Sequence, residues 1–387
     1  MIHALADDFS GAAEVGGVAA RYGLTATILT DPSRHSDTDL VVIDTGTRSL
    51  GPRPAAAVVE EVLRRRTPAL RTGWLFKKVD SVLRGPVVAE IAAILHGRRF
   101  ARALLVPANP DLGRVIRGGR YLIDGRPITE TEFAGNPASP IRSDGVLELL
   151  GSLAKVPMHI RPPGAALPND GVIVGEAERA EDLAEWAAVL DPRTLAAGAA
   201  AFFAAVLARR TGRAPNTTRF ARPEVPHEPT LVVSGSASVA ARELASVCER
   251  RGLPVLRLPV QSVGRASDAH VAHWAELAAR GIERHGWVLL TLALAAVPRV
   301  PHDAVQAAHN LLVRSAGALL DRTPIQTLYV EGGATASALA QLLEWTRFDV
   351  IAECAPGTVV LRPDAPNAPN LLVKPGSYRW PAGTAIW

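Results

Sequence analysis

The chain opens Met1-Ile2-His3-Ala4-Leu5-Ala6-Asp7-Asp8-Phe9-Ser10-Gly11, a short apolar run closed by two aspartates and a Ser-Gly pair. An Ala/Val-rich segment continues to Tyr22, and Gly23 stands where a helix-terminating glycine belongs. Leu24 to Leu29 then has the composition of a strand. Strand, helix and strand make a β-α-β unit, which predicts an open, mainly parallel sheet flanked by helices. The unit places Asp7 and Asp8 at the carboxyl end of the first strand, the edge where such sheets bind ligands. Asp8 or Ser10 can serve as the helix cap. A cap does not account for both aspartates.

The pattern repeats outward. Leu40 to Ile43 reads as a buried parallel strand and ends in a second polar tip, Asp44-Thr45-Gly46-Thr47-Arg48. Ala55 to Arg66 is amphipathic, with Val58, Val59, Val62 and Leu63 set against charged neighbours. Trp74 to Val79 is a strand that delivers Phe76-Lys77-Lys78-Val79-Asp80-Ser81-Val82-Leu83-Arg84-Gly85, and a helix-like segment runs from Val87 to Leu95. Lys and Arg hold carboxylates and phosphates, Arg through its planar fork and Lys as a point charge. An aspartate among them is kept ionised. The residues alone allow an anion site or a solvated basic turn.

Ala103 to Val106 is a further strand, running into Pro107-Ala108-Asn109-Pro110-Asp111-Leu112-Gly113-Arg114. Tyr121 to Ile128 predicts a hairpin on Asp124-Gly125. Thr129 to Asp144 lacks apolar periodicity and predicts a long loop. Val172 to Val174 predicts a strand; Ala180 to Val189 and Leu195 to Arg210 predict helices. Four prolines within 211–230 mark a linker, so the expected layout is a first domain over 1–212, a linker over 213–229 and a second domain over 230–387.

In the second half, Thr230 to Val233 is a strand followed by Ser234-Gly235-Ser236-Ala237-Ser238 and a helix from Val239 to Arg251. Thr327 to Val330 is a strand followed by Glu331-Gly332-Gly333-Ala334-Thr335 and a helix from Ala336 to Trp345. Leu371 to Lys374 leads into Pro375-Gly376-Ser377, with Lys374 available to a phosphate. Small-residue loops expose backbone N–H groups at helix N-termini, where anions bind. Tight turns need glycine as well. Neither the Walker A pattern nor the dinucleotide fingerprint is present, which argues against a nicotinamide-dependent oxidoreductase.

The 387 residues are 48% apolar and 21% charged, enough for two cored domains, and the net charge of +4 comes without a basic tract interleaved with aromatics. Nucleic acid is not an expected partner. Cys248 and Cys354 form no CxxC pair and no zinc spacing, so both read as small buried residues suited to a reducing cytoplasm. No signal-peptide pattern and no membrane-length apolar run is present, and the expected location is cytoplasmic. The histidines, His309 among them, are scattered and read as surface or core residues.

Five ordered motifs resemble the four-carbon acid sugar kinases, the threonate, erythronate and 3-oxo-tetronate kinase group. They are Asp7 to Ala12; Lys77 to Gly85, similar to that family's Lys-Lys-x-Asp-Ser signature; Thr129 to Arg142; the Ser-Gly-Ser and Gly-Gly-x-Thr loops; and Lys374 to Ser377. The resemblance spans nearly the whole chain. It implies an N-terminal domain for the sugar acid, a C-terminal domain for ATP, a cleft between them and Mg²⁺ on the nucleotide phosphates. In that reading Arg84 takes the substrate carboxylate, with Asp7, Lys77, Lys78 and Ser81 also binding substrate. Asp8, or secondarily Asp80, orients or deprotonates the acceptor hydroxyl. Ser236, Ser238, Gly332, Gly333, Ala334, Thr335 and Gly376 hold the nucleotide, and no protein metal ligand is expected. A homodimer is compatible with this layout. The family commonly carries an acid where this chain has Ala334, with Glu331 the acid that would stand in. Ala334 also motivates the rival expectation of a sugar-acid- and nucleotide-binding regulatory protein with weak transfer.

Overall fold

The structure is a computed structural model that describes every residue except 98, 136–139, 154–155, 217–228, 237, 260–266, 293–300 and 382–387. It divides into two compact units, Met1–Asn216 and Thr217–Trp387. Most of the expected linker, and the Asn136-Pro137 part of the expected loop, lie outside the described residues.

The first unit runs β1 (Ile2–Ala6), α1 (Phe9–Arg21), β2 (Ala26–Leu29), β3 (Leu40–Asp44), α2 (Pro52–Thr72), β4 (Trp74–Lys78), α3 (Val87–His96) and β5 (Arg102–Val106). A small antiparallel sheet follows, β6 (Arg114–Arg117), β7 (Arg120–Ile123) and β8 (Arg126–Pro127). Then come α4 (Val146–Leu150), β9 (Met158–Arg161), β10 (Gly171–Gly175), α5 (Ala180–Ala188), β11 (Thr194–Gly198) and α6 (Ala200–Thr211). The main strands pair in parallel in the order β2-β3-β1-β4-β11-β5-β10-β9. Their continuous apolar runs, such as Leu40-Val41-Val42-Ile43, are fully buried because helices cover both faces. Leu5, Val41, Val59, Leu75 and Ile91 share one core under α2 and α3.

The connection from β1 leads to one side of the sheet and that from β4 to the other. Adjacent strands whose connections diverge leave a crevice at their carboxyl ends. Asp7, Asp8 and the segment after Lys78 fall at that crevice.

The second unit runs β12 (Thr230–Ser234), α7 (Val239–Arg250), β13 (Val255–Arg257), α8 (Asp268–His285), β14 (Trp287–Thr291), α9 (His302–Leu320), β15 (Thr327–Glu331), α10 (Gly333–Leu342), β16 (Arg347–Ala355), β17 (Thr358–Pro363) and β18 (Asn370–Lys374). Its order is β13-β14-β12-β15-β18-β17-β16, parallel as far as β18 and antiparallel beyond it. Here the connections diverge between β12 and β15, and this second crevice receives the Gly235 and Gly332 loops.

Three sequence expectations need correction. Leu195 to Gly198 is not the start of a helix but the buried strand β11, set between β4 and β5. Its Ala-rich run of five residues is too short for periodicity to separate strand from helix, and its central position in the sheet decides. The helix expected from Ala336 begins at Gly333, so most of the supposed loop is its first turn. α2 is longer at both ends than the expected Ala55 to Arg66. The hairpin forms as read, with Asp124 and Gly125 at φ 50° and 76° in the tight turn between β7 and β8.

Candidate active site

At the first crevice, the residues after β1 and β3 are tied together by the backbone. Thr45 N–H donates to the Ala6 carbonyl at 2.9 Å and Arg48 N–H to the Asp7 carbonyl at 3.0 Å. The loop after β3 therefore folds over the end of β1 and lays the Arg48 side chain across the paired aspartates. Its guanidinium grips Asp7 with both prongs, Nε to Oδ2 at 2.8 Å and Nη2 to Oδ1 at 2.9 Å. Nη1 of the same group donates to Asp8 and lies 3.9 Å from Asp80. One arginine thus holds three carboxylates.

Asp8 has two jobs. It is the N-cap of α1, accepting the Gly11 N–H at 2.7 Å, and it also accepts the Ser10 hydroxyl at 2.8 Å. Asp7, 1% exposed, makes no cap. Burial pushes its carboxyl up, but Arg48, with Lys77 and Lys78 behind it, outweighs burial and holds it below the usual range.

After β4 the chain turns on Asp80. Leu83 N–H donates to the Asp80 carbonyl at 3.0 Å, and Leu83 itself takes φ 62°. This brings Arg84 back on Asp80 in a two-pronged pair at 2.7 and 2.8 Å. Burial raises the Asp80 carboxyl, and Arg84 and Arg48 more than reverse it, so it stays ionised far below the usual range. Arg84 is 25% exposed on its side chain and Arg48 19%, so both guanidiniums are partly open at the rim of the crevice.

The two lysines part company. Lys77 is fully buried and faces Glu90 of α3 at 3.3 Å; Glu90 also accepts the Thr47 hydroxyl. Burial raises the Glu90 carboxyl against the pull of Lys77. Lys78 faces Glu14 of α1 at 3.0 Å. Ser81 accepts from Arg114 at 2.6 Å, and its carbonyl accepts from the Tyr121 hydroxyl, so the small sheet backs this turn. Asp7, Asp8, Asp80 and Arg84 thus gather around Arg48. Lys77 and Lys78 reach helices instead. Arg48 was legible as part of a polar strand tip, but its central place depends on a loop fold that spacing does not reveal.

At the second crevice the three small-residue loops converge. The strand ends Ser234, Glu331 and Lys374 lie side by side in register. Gly332 N–H donates to the Lys374 carbonyl at 3.0 Å. Ser236 lies under Gly376, its hydroxyl 3.4 Å from the Gly376 carbonyl, and accepts the Ser238 N–H at 3.2 Å. Gly235 packs so tightly that an added Cβ would sit 2.2 Å from the Thr335 hydroxyl and 3.1 Å from the His309 ring. His309 is hydrogen-bonded to Thr335 at 3.2 Å, a partnership that its isolation in the sequence hides. Gly332 caps α10 at φ 101° with no side-chain cap, so backbone N–H groups of the first turn stay available. Ala334 is exposed on that turn. Such an end suits a phosphate.

Glu331 and Lys374 do not reach a ligand here. Both are fully buried and pair at 2.9 Å; Lys374 also donates to the Tyr378 carbonyl at 2.6 Å. Glu331 therefore does not stand in for an acid at position 334, and Lys374 props the Gly376 turn from beneath. Among the described residues no group of three or more His, Cys, Asp or Glu is arranged to hold a metal ion, and no helix is long and apolar enough to cross a membrane. Both cysteines are buried.

Residues 2–206 match the family model of a sugar-binding N-terminal domain, and residues 231–378 that of a nucleotide-binding C-terminal domain. The chain belongs to the family that joins these two domains. Within reach of this family, it is similar to the D-threonate kinase of Salmonella typhimurium, 26% identical over 386 residues that cover 91% of this chain and 88% of that one. It is also similar to the 3-oxo-tetronate kinase of Methylobacterium radiotolerans, 26% identical over 411 residues covering 97% and 95%. The crystal structure of a Haemophilus influenzae protein shares the fold, with a TM-score of 0.66, 20% identity and coverage of 97% and 96%. The two crevices thus fall in the sugar-binding and nucleotide-binding domains of the family, one in each.

Proposed function

We propose that this protein is an ATP-dependent kinase that phosphorylates a hydroxyl, the terminal one, of a small sugar acid such as a four-carbon aldonate or 3-oxo acid. The observation that carries the reading is the pair of crevices of opposite character. One is lined by arginine and aspartate side chains. The other is lined by glycine backbone at an uncapped helix N-terminus.

Phosphoryl transfer needs positioning and charge neutralisation more than covalent chemistry. Arg84, partly exposed at the rim, takes the substrate carboxylate, with Lys78 and Ser81 helping. Its fork is held by Asp80, so the substrate meets a pre-oriented guanidinium. Asp7 fixes Arg48, and Lys77 fixes Glu90 and the Thr47 loop, from within. Asp8 faces the substrate hydroxyls. The backbone around Ser236, Ser238, Gly332, Gly333, Ala334, Thr335 and Gly376 carries the nucleotide phosphates. Mg²⁺ would be carried there by the nucleotide phosphates and water and would neutralise their charge, since Glu331, the acid of these loops, is paired with Lys374.

A coupled ADP-release screen over four- and five-carbon sugar acids tests the reading. Sugar-acid-dependent ADP formation is expected with at least one member. The exposed Ala334 favours a second outcome, in which a regulatory homologue is thermally stabilised by both ligands without ADP formation; that result would replace the kinase.

A further inference from the structure

The acids at the first crevice are, with one exception, each committed to a cation. Asp7 and Asp8 belong to Arg48, Asp80 to Arg84, Glu14 to Lys78 and Glu90 to Lys77. The exception is Asp44, the last residue of β3, whose register partner on β1 is Ala6, the residue before Asp7. Among the described residues no arginine or lysine lies within ion-pair distance of it. Its Oδ1 accepts the Gly46 N–H at 3.0 Å, and among the described residues its side chain makes no other hydrogen bond. Its Oδ2 is not among the sealed polar atoms, so at this strand end it keeps some access to solvent although the residue is buried.

We infer that Asp44 is the base that accepts the proton of the substrate hydroxyl, with Asp8 left to orient that hydroxyl. The inference rests on the kinase reading above. In the step, the hydroxyl oxygen forms a bond to the γ-phosphorus of the nucleoside triphosphate. The bond from that phosphorus to the β,γ-bridging oxygen breaks, and the diphosphate leaves with the electron pair. The hydroxyl proton passes to Asp44 Oδ2 and is released to water afterwards.

A base works best when its affinity for protons matches the working pH. Asp80, gripped by Arg84, is held far below the usual range and is too weakly basic. Asp44 is the opposite case. Burial first, then the Asp8 and Asp7 carboxylates facing it from the end of β1, push it up to about 7, against the Gly46 N–H and Arg48. On the β2 side the nearest acid in sequence, Asp31, is occupied by Ser33. Neighbouring carboxylates pushed apart in this way divide into one that stays charged and one that exchanges a proton.

The test is the pH profile of kcat for the whole chain with D-threonate, D-erythronate and 3-oxo-tetronate, alongside Asp44→Asn. In the native protein kcat is expected to rise with pH through an apparent pKa near 7. Asp44→Asn should lower kcat by about 10²- to 10⁴-fold, erase that rise, and leave the KM for ATP within about threefold, as it should for a group that touches only the acceptor. A native profile that is flat from pH 5.5 to 8.5, or falls with pH, overturns the role without needing any variant. Asp44→Asn with native kcat and the same rise overturns it as well. Absence of ADP formation by the native chain with every acid overturns the kinase reading itself, a result distinct from both.

Discussion

The two crevices obey one topological rule and use opposite chemistry. Each lies where the connections of adjacent parallel strands diverge, between β1 and β4 in one unit and between β12 and β15 in the other. In the first, long charged side chains are locked into pairs, so the edge is built from guanidinium forks. In the second, side chains are small and the backbone itself is presented, with the Glu331–Lys374 ion pair buried beneath the loops as a prop. The difference fits the two ligand classes. A small hydroxy acid differs from its relatives by the placement of single groups, which only directed side chains can read. A polyphosphate offers repeated oxygens that a row of N–H groups meets without discrimination.

The comparison breaks most readily at Arg48. Arg48→Met leaves Asp7 buried without its cation, and breaking a buried pair in this way costs about 3–5 kcal/mol. Turnover should fall by about 10³-fold or more, and the thermal midpoint should drop. Native-like activity would mean that side-chain forks are not what organises this edge. Lys374→Met tests the other edge in the same currency. It strands Glu331, so a loss of about 3 kcal/mol is expected by denaturant titration, and nucleotide-dependent stabilisation should go with it.

Gly235→Ala is a narrower probe. Its Cβ would meet the Thr335 hydroxyl at 2.2 Å, so Thr335 and His309 must shift. Overpacking of this kind costs about 1–3 kcal/mol, and nucleotide affinity should weaken about tenfold or more. Sugar-acid binding measured by calorimetry should not change; if it falls equally, the division of labour is wrong.

The smallest expected effect lies in the core of β1. His3 is buried with both ring nitrogens unpartnered, and burial, followed by Arg66, lowers it to about 4. The unfolded chain binds a proton near pH 6.5 that the folded chain refuses until about 4, so stability is full above 6.5 and declines as pH falls between those values. His3→Leu should flatten that part of the stability profile. An unchanged slope would assign the decline to other groups.

Much of this architecture was legible because each β-α step carries its own punctuation. Asp7-Asp8 and the Asp80 to Gly85 part of the Lys77 to Gly85 run announced the first edge, since polar residues directly after a buried apolar strand stand at its end, whereas Lys77 and Lys78 are the last two residues of β4 itself. Gly235, Gly332 and Gly376 announced the second. What escaped depended on tertiary context. The residues of β11 predict a helix because Ala-rich runs suit either element until the sheet claims them. Asp44 and Arg48 looked alike as members of a polar tip, and only the folding of 45–48 over β1 made one a hub and left the other unpaired. Lys374 looked like a phosphate ligand, and burial against Glu331 assigns it to support.

The central claim is that each edge holds one substrate. Calorimetric titration of Arg84→Ala and Gly235→Ala with D-threonate and with a non-hydrolysable ATP analogue tests it most directly. The account predicts that Arg84→Ala loses the acid and keeps the nucleotide, while Gly235→Ala does the reverse. Loss of both ligands in either properly folded variant, or the opposite assignment, would contradict it.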